Sequence, residues 1–143
     1  MGEALKEAER ALRLGEVPVG AVIVKDNKII ARAHNLKETL KDPTGHAEVL
    51  AIREACRVLS NWRLTGCEMY VTLEPCVMCA SSIGQARIKK LYIGTFDPTA
   101  GGCGSVVDIV GNSRLRYNMD IKWMYSEECS NILKGFFKGK RRD

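Results

Sequence analysis

Glu68-Met69-Tyr70-Val71-Thr72-Leu73-Glu74-Pro75-Cys76-Val77-Met78-Cys79 decides how this chain folds. Glu68 to Leu73 reads as a strand that ends at Glu74-Pro75. Pro75 then suits a helix start, where its missing N–H costs nothing, and the helix runs to about Ala86. Lys90 to Gly94 is the next strand. Two strands joined by a crossover helix form a parallel pair. Such pairs put ligand sites at the carboxyl ends of their strands.

Working outward, residues 3–14 place Ala4, Leu5, Ala8, Ala11 and Leu12 at helical spacing, with Gly15 and Pro18 ending the helix. Val19 to Lys25 and Lys28 to Ala33 are strand-like and joined by Asp26-Asn27, a hairpin signal. Asp42-Pro43-Thr44-Gly45 is a turn that delivers His46 to a helix reaching about Leu59. Beyond Gly94 come a Gly-rich loop (Ala100-Gly101-Gly102-Cys103-Gly104), a short helix near Val106 to Val110, and a last strand from Ile121 to Tyr125. Ser126 caps a final helix with Glu127 and Glu128 in its first turn. The pattern is an α/β chain: a mixed five-stranded sheet with helices on both faces.

With 143 residues the chain is read as one domain, 1–143, and it is large enough for a core. Its 45% hydrophobic and 27% charged content suits a globular protein. No apolar run approaches the ~20 residues of a membrane helix, so no membrane association is expected. The opening Met1-Gly2-Glu3-Ala4-Leu5-Lys6 does not read as a signal peptide. Six cysteines without an export signal suit reduced thiols in the cytoplasm. The net charge of +5 is compatible with nucleic acid. Lys134, Lys138, Lys140, Arg141 and Arg142 crowd the last ten residues. They suit either a phosphate backbone or a solvated helix end that complements the macrodipole.

The chemistry lies in His46-Ala47-Glu48 and Pro75-Cys76-Val77-Met78-Cys79. Cys76 and Cys79 are three apart, so on one helical turn both sulfurs point to the same side. A helix N-terminus favours thiolate over thiol. With His46 they make three zinc ligands, and a fourth position left open for water marks a catalytic site rather than a structural one. Zn²⁺ brings the pKa of such a water to about 7. Glu48 stays free to move protons. A lone C-x-x-C can also be a redox pair or half a structural zinc site. A redox pair does not call for H-x-E, however, and the remaining cysteines (Cys56, Cys67, Cys103, Cys129) are scattered singly. The order H-x-E…P-C-x-x-C is the signature of zinc deaminases, with the Glu as general acid and base.

On these residues the chain resembles the cytidine deaminase-like superfamily and, within it, bacterial tRNA-specific adenosine deaminases. The resemblance extends through Gly15-Glu16-Val17-Pro18-Val19-Gly20-Ala21-Val22, Ala33-His34-Asn35, Asp42-Pro43-Thr44, Asn61-Trp62-Arg63-Leu64, Tyr70-Val71-Thr72-Leu73-Glu74, Ser113 and Phe136-Phe137-Lys138. It implies a three-layer α/β/α fold and one Zn²⁺ per subunit on His46, Cys76 and Cys79. Glu48 is then the catalytic acid and base. It also implies substrate contacts at Asn35, Asp97, Phe137 and Lys138, a homodimer, and a tRNA anticodon stem-loop as partner. The implied reaction turns adenosine into inosine at the wobble position. From the residues alone, the alternative for Asn35 is that it fixes the turn after a strand, and Asp97-Pro98 is a common turn opener. His34, Trp62 and Trp123 read as structural. Thr99 and Arg116-Tyr117 depart from the family pattern at RNA-side positions. A deaminase of a free base or nucleoside is the alternative.

Overall fold

Residues 1–142 are described by the computed structural model, with side chains described as far as residue 140. The reading of Arg141 and Arg142 as phosphate-facing cations therefore lies outside the described side chains. Five strands, β1 (Gly20–Lys25), β2 (Lys28–His34), β3 (Glu68–Leu73), β4 (Lys90–Thr95) and β5 (Asp120–Trp123), form one sheet in the order β2-β1-β3-β4-β5. β1 is antiparallel to both its neighbours, while β3–β4 and β4–β5 are parallel. Only β1 is reversed, so the carboxyl ends of β2, β3, β4 and β5 meet along one edge. That edge carries the site.

Asp26 and Asn27 both adopt positive φ, +51° and +62°, as a two-residue hairpin turn of matching twist requires. A register shift between Ile23 and Val24 marks a bulge within the hairpin.

The helices are α1 (Gly2–Arg13), α2 (Lys37–Leu40), α3 (Ala47–Leu59), α4 (Val77–Gln85) and α5 (Glu127–Arg142). Side chains alternate across a strand, and the two faces of the sheet differ accordingly. Gly20 lies so close to α1 that a Cβ there would run into the backbone of Ala4 and Ala8; at Gly94 it would meet Cys129 of α5. α1 and α5 therefore cover this face. The other face presents Ala21, Ile23, Met69, Val71, Leu91 and Ile93 to Ala47, Ala51 and Ala55 of α3 and to Ala80 and Ile83 of α4. Alanines four apart form one stripe of the helix and let its backbone approach the sheet closely. This is the three-layer α/β/α architecture.

α1 stops where Gly15 takes φ +76° and Glu16 N–H donates to Ala11 C=O at 3.0 Å, a Schellman-type end. The Ser126 hydroxyl accepts from Cys129 N–H at 3.2 Å and caps α5 as expected.

Four local expectations are corrected. Val106 to Val110 is not a helix: Val106 and Val107 N–H both donate to Gly101 C=O and Ile109 N–H to Gly102 C=O, so the segment folds around the two glycines. The last strand stops at Trp123, before Tyr125 at φ +49°. Pro75 lies outside α4, whose N-cap is Cys76. Trp62 is 53% exposed, under the Arg63 guanidinium 4.3 Å from its ring centroid, whereas Trp123 packs on the core. The short α2 was not foreseen. Among the described residues, no helix is long and apolar enough to cross a membrane.

Candidate active site

His46 and Cys76 are the N-caps of α3 and α4. The sheet brings these two helix starts together although 30 positions separate the residues. His46 Nδ1 stands 3.7 Å from Cys76 Sγ and 3.5 Å from Cys79 Sγ, and the three donor atoms lie within 4.8 Å of one another. Zinc bonds of the usual lengths to nitrogen and sulfur, at tetrahedral angles, separate such donors by about 3.6 Å. The donor set therefore fits a zinc ion in both chemistry and spacing.

Protonation follows from the same geometry. The Cys76 thiol is brought down to about 4, because the Cys79 thiol hydrogen-bonds it and His46 adds a second bond, against the cost of burial. Cys79 moves in the opposite direction, as the partner that keeps its proton, and burial adds to this. The imidazole of His46 is raised by its bond to Cys76. A metal would replace these shared protons, since thiolate and neutral imidazole are the ligating forms.

Glu48 is 4% exposed and projects from the first turn of α3. Burial pushes its carboxyl up to about 7, and the negative Cys76 adds to the rise. A carboxyl that titrates near neutrality can take up and release protons under working conditions.

The substrate-side residues divide. Asn35, just past β2, accepts a hydrogen bond from Ala47 N–H at 2.8 Å through Oδ1. It thus anchors the helix that carries His46 and Glu48, and its amide NH₂ makes no hydrogen bond among the described residues. Asp97 Oδ1 accepts from Thr99 N–H (3.0 Å), Thr99 Oγ1 (2.8 Å) and Ala100 N–H (3.2 Å), so the turn-opener reading holds for that oxygen. A cleft of about 540 Å³ at the carboxyl edge is lined by Asp97, Thr99, Lys134 and Phe137 among others. Phe137 is 43% exposed while Phe136 is half-buried, as adjacent helical positions demand. Lys138 is exposed on α5 and is not among the residues lining the cleft.

His34 is structural as expected, with Nδ1 2.7 Å from buried Glu7 Oε2. Tyr117 is a correction. Rather than lying on the RNA side, it is buried against Gly84 of α4, receives Gln85 Nε2 on its hydroxyl (3.2 Å) and Lys89 Nζ on its carbonyl (2.7 Å).

The sequence reading passed over Glu74, whose side chain is 2% exposed. Its Oε1 accepts from Asp97 N–H (2.9 Å) and the Ser105 hydroxyl; its Oε2 accepts from Cys103 N–H (3.0 Å) and Ser105 N–H (3.1 Å). The only local signal was an acidic residue at a strand end with nothing nearby to pair it.

An imidazole, two thiols and a buried carboxylate at the carboxyl edge of a three-layer mixed sheet make a deaminase of the cytidine deaminase-like class. The MafB19-like deaminase family model matches residues 1–141. The tRNA-specific adenosine deaminase of Aquifex aeolicus (strain VF5) is 51% identical over 142 residues, covering 98% of this chain and 93% of the relative. That of Bacillus subtilis (strain 168) is 45% identical over 143 residues, 99% and 89% of the two chains. A solved structure from work on A-to-I editing by tRNA:A34 deaminases superposes with a TM-score of 0.90 at 43% identity, over 93% of this chain and 97% of the other. The chain belongs to the MafB19-like deaminases and, among them, to the family of tRNA-specific adenosine deaminases.

Proposed function

We propose that this chain deaminates adenosine hydrolytically to inosine at the wobble position of a tRNA anticodon. One observation carries the reading: a site with the full set of deaminase groups lies in a chain 51% identical, almost end to end, to a tRNA-specific adenosine deaminase. His46 Nδ1, Cys76 Sγ and Cys79 Sγ would hold one Zn²⁺ per subunit. When bound there, zinc supplies a water of near-neutral pKa and Lewis-acid stabilisation of negative charge on oxygen.

The chain's own residues supply the proton transfers. Glu48 takes one proton from the attacking water as the C–O bond forms and gives it to the ring nitrogen; it then takes the remaining hydroxyl proton and gives it to the amino group, which leaves as ammonia when the C–N bond breaks. Its burial, which keeps solvent from competing for that proton, supports the role. A base in an anticodon loop is turned out at lower cost than one in a duplex. Asn35 then offers its amide donors to the target nucleotide. Asp97, Phe137 and Lys138 meet the RNA flanking the target, and the exposed Phe137 ring is suited to stacking on a base. The same reading includes a single domain, a homodimer and a cytoplasmic setting, the last in keeping with six free thiols.

The deciding assay compares an anticodon stem-loop bearing wobble adenosine with free adenosine, adenine, guanine, cytosine and cytidine. Inosine formed in the stem-loop alone is the expected result. Turnover of a free base or nucleoside with the RNA untouched overturns the tRNA reading and leaves a small-molecule deaminase.

A further inference from the structure

Glu74 has no part in the proton transfers above, yet it is a buried carboxylate with every contact directed at one loop. Its four hydrogen bonds reach Asp97, Cys103 and Ser105. The loop is fastened to the same strand end a second time, by Gly102 N–H donating to Pro75 C=O at 2.7 Å and by the bridge between Cys76 and Gly101. Both glycines are required by proximity. A Cβ on Gly101 would collide with the Glu74 carboxylate, and one on Gly102 would press on the Cys76 and Val77 backbone at 2.9 Å. Asp97 and Thr99, at the start of this loop, wall the cleft beside Phe137.

From this geometry we infer that Glu74 is a positioning residue: it fixes the loop 97–105 against the segment that bears Cys76, and so sets how the RNA flanking the target base is seated. The consequence for RNA rests on the functional reading above.

The acceptor pattern makes the inference testable. In Glu74→Gln the side-chain amide can sit at the Oε1 position and donate to the Ser105 hydroxyl, leaving only Asp97 N–H without an acceptor. At the Oε2 position it would face two N–H donors, Cys103 and Ser105, so the first orientation is preferred. Amide hydrogen exchange should therefore accelerate at Asp97 and stay slow at Cys103 and Ser105. On a wobble-adenosine stem-loop, KM should rise about tenfold with kcat within about twofold, the pattern of lost binding rather than lost chemistry. Zinc content should match the wild type. Gly101→Ala, which displaces the carboxylate without changing charge, should give the same KM rise and serves if Glu74→Gln does not fold.

Unchanged protection of Asp97 in these variants overturns the inference. So does a fall in kcat at constant KM, or loss of zinc, either of which would make Glu74 a support of the metal segment instead. A wild-type chain that leaves the stem-loop unedited removes the functional reading, and the RNA consequence with it. The exchange of the Asp97 amide then decides the loop role by itself.

Discussion

Replacing Asn35 separates two roles that share one side chain. Its Oδ1 accepts the Ala47 N–H at 2.8 Å, and Ala47 is fully buried, so an alanine variant removes the acceptor that the chain supplies to this N–H. Losing the acceptor at a helix N-terminus costs about 1–2 kcal/mol. For a chain of this size that lowers Tm by about 3–8 °C. The damage also reaches the chemistry, because α3 carries His46 at its N-cap and Glu48 in its first turn. Asn35→Asp tests the other half. The carboxylate keeps an acceptor for Ala47 and suits the positive end of the helix, so stability should return to within about 0.5 kcal/mol of wild type. The two amide donors are gone, however, and KM for the stem-loop should stay raised. Thermal melts with and without added zinc, paired with kcat and KM for Asn35→Ala and Asn35→Asp, give the answer. An alanine variant that melts within about 1 °C of wild type refutes the anchoring argument. An aspartate variant with wild-type KM refutes substrate contact through the amide.

Other consequences follow from the same structure. Glu48→Gln should retain stoichiometric zinc while kcat falls by about 10²–10⁴, the usual worth of a general acid–base group; metal analysis beside single-turnover rates checks both, and a variant keeping a large share of the activity removes Glu48 from the proton path. Gly20→Ala places a methyl group against the backbone of Ala4 and Ala8 and should destabilise by about 1–3 kcal/mol in urea titration; an unmoved midpoint would show that α1 yields easily. Burial opposes ionisation of Glu16, but hydrogen bonds from the Thr39 hydroxyl and from Thr39 and Glu38 N–H outweigh it and hold the carboxyl below 4.5. A depressed folded-state pKa contributes stability that is complete above 4.5 and is lost as pH falls through the folded value. Glu16→Gln should therefore melt below wild type at neutral pH and converge with it in acid, and a gap independent of pH would contradict this.

What the sequence determined by itself is the local part. Alternation, helical spacing and Gly or Pro punctuation act over a few residues, and they brought the five strands, α1, α3 and α4 within a residue or two of their observed ends and placed the start of α5. Donor chemistry is also local. Cys76 and Cys79 share a helical turn, and His46 and Glu48 share a helix start, so the ligand set could be read before any contact was known. The remainder depended on partners far along the chain. Glu74 looked like an ordinary strand end until Asp97, Cys103 and Ser105 converged on it. Val106 to Val110 forms no helix because Val106, Val107 and Ile109 turn their N–H groups to the Gly101 and Gly102 carbonyls. Asn35 became an anchor only when β2 delivered it to Ala47, and Tyr117 left the RNA side only because Gly84 left room for its ring. A hydrogen bond or a close contact between distant residues has no period and no fixed spacing, so only the tertiary structure could decide which buried polar groups hold the loops that surround the site.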